Sequence, residues 1–196
     1  MIAGIVLAAG RSTRMGAPKG LLPVGESTFI EHALAVLRAG GCDPVIAVVP
    51  PGTAAGALGD LVRSAGGRAV ENPSATAEQV DSLRLGLAAA DAACQAAVVL
   101  PVDFPRGEGS TVRDLVEAFR ARGAPIVRPV HAGRPGHPVL FARRVWAELG
   151  APQLAGGARS VVDRYRAEIE EVSVTDGGVV NDVDSPADYQ REVPGA

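Results

Sequence analysis

Leu7-Ala8-Ala9-Gly10-Arg11-Ser12-Thr13-Arg14-Met15-Gly16-Ala17-Pro18-Lys19 follows directly on the apolar run Ile2 to Leu7, which reads as a buried first strand. Ala8, Ala9 and Gly10 carry almost no side chain, so a ligand can approach the backbone closely there. Free N–H groups of such a loop can converge on one anion. Arg14 supplies a planar fork that fits phosphate oxygens, and Lys19 a compact point charge. Two readings stand side by side: a phosphate cradle, or a strand-to-helix connection whose cations are merely solvated. No G-x-x-x-x-G-K-[ST] and no G-x-G-x-x-G occurs in the chain.

The surrounding composition narrows the class. A chain of 196 residues, 47% hydrophobic and 21% charged, fits one globular domain with a real core. Net charge is −3, so the basic excess of a nucleic-acid binder is missing and any affinity for phosphate must be local. Cys42 and Cys94 form no C-x-x-C pair and read as small apolar residues. No apolar run reaches the ~18 residues of a membrane span. The N-terminus reads straight into the first strand with no cationic leader, so the expected location is the cytoplasm.

Beyond the loop, strand and helix signals alternate. Thr28 with Glu31 predicts a capping box for a helix ending at Gly40 and Gly41. Val45 to Val49 is a strand, Thr53 to Ala65 a helix, Arg68 to Val70 a short strand, and Glu78 to Ala90 an amphipathic helix. Ala96 to Leu100 reads as a central strand delivering Pro101-Val102-Asp103-Phe104-Pro105. Ser110 is expected to cap the helix that ends at Gly123. Ile126 to Pro129 is a strand, and His131 to Phe141 a strand pair around a turn. Arg143 to Leu149 and Gly157 to Arg166 are short helices, Ile169 to Val174 a late strand, and Ser185-Pro186 opens the last helix. The expected fold is α/β: a single domain over 1–196 with a mostly parallel, Rossmann-like central sheet covered by helices on both faces.

In such sheets ligands gather beyond the carboxyl ends of the strands. The Gly10 loop, Asp103 and Asn181-Asp182-Val183-Asp184 are candidates for those ends. Magnesium takes one or two carboxylates plus substrate phosphates and waters, and Asp103 with Asp182 or Asp184 meets that need. The structural alternatives are a turn cap before Pro105 for Asp103 and helix capping for Asp184. His137 alone is most simply a structural histidine.

The run Leu7 to Lys19 resembles the signature L-A-A-G-x-S-x-R-M-G-x-x-K of nucleotidyltransferases related to molybdenum cofactor cytidylyltransferase. Leu100 to Pro105 resembles that family's L-x-x-D-x-P segment, and Asp182 to Pro186 its D-x-D-[ST]-P segment. Gly136-His137-Pro138 is similar to its G-H-P element, Ser82-Leu83-Arg84-x-Gly86-Leu87 to its S-L-R-x-G-L helix, and Gly157-Ala158-Arg159 to part of G-x-x-G-A-R. One departure is that Ser74 to Asp81 has no glycine, where family members usually carry one.

The resemblance implies transfer of a nucleoside monophosphate from a nucleoside triphosphate to a small phosphorylated acceptor such as molybdopterin cofactor, with pyrophosphate leaving. It implies Arg14, Lys19 and Asp103 as catalytic, and Leu7, Ala8, Ala9, Gly10, Arg11, Ser12, Arg14, Lys19, Asn72 and Ser82 as nucleotide-binding. It also implies His137 on the acceptor side, and Mg2+ on Asp103 and Asp184. Ala8-Ala9-Gly10, in place of Ala-Gly-Gly, leans toward CTP and so CMP transfer. The alternatives are a guanylyl- or sugar-phosphate nucleotidyltransferase, or a nucleotide-binding regulatory module without turnover.

Overall fold

Every residue of the first strand, β1 (Ile2–Leu7), is buried, because it lies in the middle of a sheet with helices on both faces. Its side chains alternate: Ile2 and Val6 enter one apolar cluster, Ala3, Ile5 and Leu7 the other. The computed structural model describes residues 1–10, 12, 15–74, 78–152 and 154–193. A small hairpin, β2 (Pro23–Val24) and β3 (Ser27–Thr28), leads into α1 (Phe29–Ala39). Thr28 and Glu31 form the expected capping box there.

Then come β4 (Val45–Val49), α2 (Thr53–Ser64), β5 (Arg68–Glu71), α3 (Gln79–Ala89), β6 (Ala96–Pro101) and α4 (Gly109–Arg122). The second half holds β7 (Ile126–His131), β8 (Arg134–Pro135), β9 (Val139–Ala142), α5 (Trp146–Leu149), α6 (Gly157–Arg164), β10 (Ile169–Ser173) and α7 (Pro186–Glu192). Sheet order is β10-β7-β9-β6-β1-β4-β5, with β8 paired to β7. β1 is parallel to β4 and β6, β4 to β5, and β10 to β7. β9 runs antiparallel between β6 and β7, so the expected strand pair around Gly133 resolves into the β7–β8 hairpin followed by β9. The fold is the single α/β domain that the alternation of elements predicts.

One capping expectation fails. Ser110 lies inside α4, whose N-cap is Glu108. The helix start is held from a distance: buried Asp176 accepts from the Glu108 N–H at 2.9 Å and the Thr111 hydroxyl at 2.8 Å. Cys42 and Cys94 are buried free thiols, and burial pushes Cys42 up to about 12. Among the described residues no helix is long and apolar enough to cross a membrane.

α3 lies directly on β1, and Gly86 makes that approach possible. A Cβ there would fall 2.5 Å from Ile5 Cγ2, and Ile5 is fully buried and unable to retreat. Gly86→Ala gains helix propensity, worth up to ~1 kcal/mol, but overpacks the interface by roughly 1–3 kcal/mol. The net expectation is a thermal midpoint a few degrees lower, by about 2–4 °C per kcal/mol. An unchanged or raised midpoint in a calorimetric scan refutes this account of the glycine.

Candidate active site

Leu7 and Pro101, the last residues of β1 and β6, are register partners. β1 sends its next strand, β4, to one side while β6 lies on the other, so the loops after β1 and β6 diverge and open a crevice. The Val102 N–H donates to the Leu7 carbonyl at 3.1 Å, which fixes Asp103 at the lip. The Val183 N–H donates to the Asp103 carbonyl at 2.8 Å and draws the late acidic segment to the same place. There the Asp188 carboxylate of the α7 capping box accepts from the N–H groups of Asp184 at 3.3 Å and Ser185 at 2.9 Å, which sets the backbone under Asp184.

Lys19 completes the cluster. Ser12 adopts a left-handed conformation (φ 45°) and accepts the Lys19 backbone N–H on its hydroxyl at 3.0 Å, folding the loop back on itself. The Lys19 ammonium then donates to Asp103 Oδ2 at 3.2 Å and Asp184 Oδ1 at 2.5 Å. Its side chain is 13% exposed. Burial alone lowers the Lys19 amine, but the Asp184 hydrogen bond and the Asp103 charge outweigh it, so the amine is held above its ordinary range. Burial raises the Asp103 carboxyl, and the Lys19 ammonium only partly offsets that.

A cavity of about 330 Å³ lies over this cluster, lined by Leu7, Ala8, Ala9, Gly10, Ser12, Lys19, Ser82, Asp103 and Asp184 among others. A Cβ on Gly10 would meet nothing within 4 Å, so the missing side chain leaves room on the cavity side of the loop. The Ala8 N–H is spent on the Val48 carbonyl at 2.8 Å, whereas those of Ala9 and Gly10 have no backbone acceptor among the described residues. Arg11 and Arg14 lie outside the described residues.

Asn72 is not on the cavity wall. It is 2% exposed and supports that wall instead: its amide donates to Ser82 Oγ at 3.0 Å and accepts the Ser74 N–H at 3.1 Å. Of the glycine-free segment Ser74 to Asp81, residues 75–77 lie outside the described set. Glu78 and Gln79, which no motif marked, line this cavity and a second one of about 830 Å³.

His137 belongs to the larger cavity. Its N–H donates to the Val179 carbonyl at 2.8 Å, and Gly136 must be glycine because a Cβ would fall 2.1 Å from that same oxygen. The ring packs against Phe104 at 4.8 Å, immediately after Asp103 in the chain. Burial lowers the imidazole to about 4 against an opposing pull from Asp182, so it is neutral near pH 7. Asp184 thus reaches Lys19, while Asp182 acts on His137.

The carboxylates suit a hard cation. Asp103 Oδ1 is buried with no hydrogen-bond partner among the described residues, and Asp184 converges on the same ammonium as Asp103. Two carboxylates with space for phosphate oxygens are a magnesium-type donor set.

A protein-family model described as a MobA-like NTP transferase domain matches residues 4–169. The chain belongs to the MobA-like NTP transferase family. Among curated proteins, a probable molybdenum cofactor guanylyltransferase of Mycobacterium avium (strain 104) is 33% identical over 168 residues, covering 82% of this chain and 78% of that protein. The crystal structure of Rv0371c from Mycobacterium tuberculosis H37Rv matches at TM-score 0.81 and 34% identity, over 98% of this chain and 96% of that one. Rv0371c in complex with manganese matches at TM-score 0.79 and 33% identity, over 100% and 99%. This MobA-like chain is therefore a nucleotidyltransferase, as the Leu7 to Lys19 signature implied. The lean toward CTP is not matched by the names of the Mycobacterium avium and Mycobacterium ulcerans relatives, each a probable molybdenum cofactor guanylyltransferase. One methyl on Ala9 is a weak steric filter beside the rest of a base pocket.

Proposed function

We propose that this chain transfers GMP from GTP to the phosphate of molybdopterin cofactor, with pyrophosphate leaving. The observation that carries the chemistry is the meeting of Lys19, Asp103 and Asp184, from three distant segments, beside the Ala9–Gly10 loop. The guanylyl reading draws on the relatives' names. Ala8-Ala9-Gly10 keeps CTP as the second reading.

The acceptor oxygen is already anionic, so alignment and charge stabilisation suffice without a strong general base. Asp103 and Asp184 would hold a Mg2+ ion. When bound, that ion neutralises charge on the α-phosphate. The Ala9 and Gly10 N–H groups and the Lys19 ammonium hold the triphosphate and stabilise departing pyrophosphate. Lys19 must leave one or both carboxylates to do so, which the nucleotide's own charge compensates. His137, neutral and backed by Phe104, faces the acceptor in the larger cavity. Leu7, Glu78, Gln79 and Pro101 line both cavities, so the two substrates would meet along that wall, with Asp103 on its nucleotide side.

The test is a panel of four NTPs with Mg2+ and molybdopterin, read as pyrophosphate release. GTP is expected to exceed CTP in kcat/KM by at least about 10-fold, a 1.4 kcal/mol preference. A CTP preference returns the assignment to CMP transfer. Tight nucleotide binding without product from any acceptor favours the regulatory module.

A further inference from the structure

Arg84, on α3, lines neither cavity but joins α3 to the start of the α5–α6 connection. Its Nη1 donates to Asp81 Oδ1 at 2.6 Å, and its Nη2 to the Ala151 carbonyl at 2.5 Å, 67 residues away. Its Nε is buried and has no partner among the described residues, so the two Nη atoms carry the hold on the guanidinium. Asp81 in turn accepts the Glu78 N–H on its other oxygen at 3.0 Å. A continuous chain of polar contacts therefore runs from Glu78, on the wall common to both cavities, through Asp81 and Arg84 to Ala151. Ala151 begins the segment that ends in the first turn of α6, where Gly156, Gly157, Ala158 and Arg159 line only the larger cavity.

We infer that Arg84 is a positioning residue for the acceptor: it holds the α5–α6 connection against α3 and so fixes the distance between the shared wall and the α6 turn. Its rigid planar fork holds two nitrogens in fixed directions, one on Asp81 and one on Ala151, a geometry that a single compact ammonium does not reproduce. The nucleotide side keeps its own supports when Arg84 is lost: Ser82 is held by Asn72, and Glu78 by its capping box with Asp81. The role rests on the larger cavity being the acceptor side, as proposed above.

The experiment compares Arg84→Ala and Arg84→Lys with the unaltered chain. Steady-state kinetics with GTP, Mg2+ and molybdopterin are paired with amide hydrogen exchange. In Arg84→Ala the KM for molybdopterin is expected to rise about 10-fold or more while the KM for GTP stays within about 2-fold, since small misplacements of a bound partner carry large costs. Arg84→Lys is expected to fall between the two. Exchange at Ala151 and Leu154 to Arg159 is expected to quicken at least about 10-fold, with β1 and β6 unaffected.

Equal rises in both KM values, or none in a folded variant, overturn the positioning role. Unchanged exchange over Ala151 to Arg159 overturns the tie itself. If Arg84→Ala does not fold, Arg84→Lys decides by the same two readouts. If the unaltered chain uses no acceptor with any NTP, the functional reading fails separately, and the exchange data alone judge the clamp.

Discussion

Asp103→Asn is expected to lower kcat by about 100-fold or more while leaving the metal-free protein at least as stable at neutral pH. The activity loss follows from the proposed role: the amide cannot supply the negative oxygen that a magnesium ion needs, and metal stabilisation of developing charge is worth several kcal/mol. The stability expectation follows from burial. The folded state raises the Asp103 carboxyl despite the Lys19 ammonium beside it, so the native protein prefers the protonated form more than the unfolded chain does. A group raised on folding contributes stability below its unfolded pKa and loses that contribution as pH rises through its folded pKa. At pH 7 the ionised Asp103 is therefore a cost, and an isosteric amide removes it. The difference in thermal midpoint between variant and parent should shrink toward acid pH. Near-parental kcat in the variant would remove Asp103 from the metal. A midpoint several degrees below the parent at pH 7 would show that the Lys19–Asp103 pair stabilises the fold more than burial opposes it. Such trades of stability for function are common where charges are held apart from water.

The sequence makes some of this site legible and hides the rest for identifiable reasons. Thr28 and Glu31 act within one helical turn, and their capping box reads directly from spacing. The Leu7 to Lys19 loop is contiguous, so its small residues and its lysine could be assigned together. Asp103 and Asp184 read as candidate strand-end acids, but their meeting depends on the Val183 N–H reaching the Asp103 carbonyl, a pairing that no local pattern marks. Interactions between distant segments were missed where no local pattern marks them. The start of α4 is held by Asp176, more than sixty residues downstream, whereas local chemistry points to Ser110. The hold of buried Asn72 on Ser82, ten residues on, is likewise invisible to local spacing. Glu78 and Gln79 belong to no motif, and only the fold shows them between two cavities. Base choice is the least legible, because one methyl, that of Ala9, is all the loop offers toward it.

Lys19→Met is the complementary change, and its expected signature is opposite in two respects. The ammonium donates two charge-assisted hydrogen bonds in a mostly buried position, each worth roughly 1.5–3 kcal/mol in a favourable setting. On the triphosphate the same group should be worth at least one such contact, so kcat/KM is expected to fall about 10- to 100-fold. Unlike Asp103→Asn, this variant leaves two carboxylates facing each other without the cation that bridges them. The metal-free protein should therefore lose stability at neutral pH and recover it as pH falls and the acids take up protons. A divalent ion can then replace the missing charge. Mn2+ titrated into the nucleotide-free variant, followed by electron paramagnetic resonance, is expected to bind more tightly than to the parent, where Lys19 competes for the same oxygens. Weaker Mn2+ binding in the variant would mean that the lysine does not contest the carboxylates. A parental kcat/KM would separate Lys19 from the nucleotide altogether. Tighter metal together with slower transfer is the combination that a lysine shared between resting acids and bound triphosphate requires.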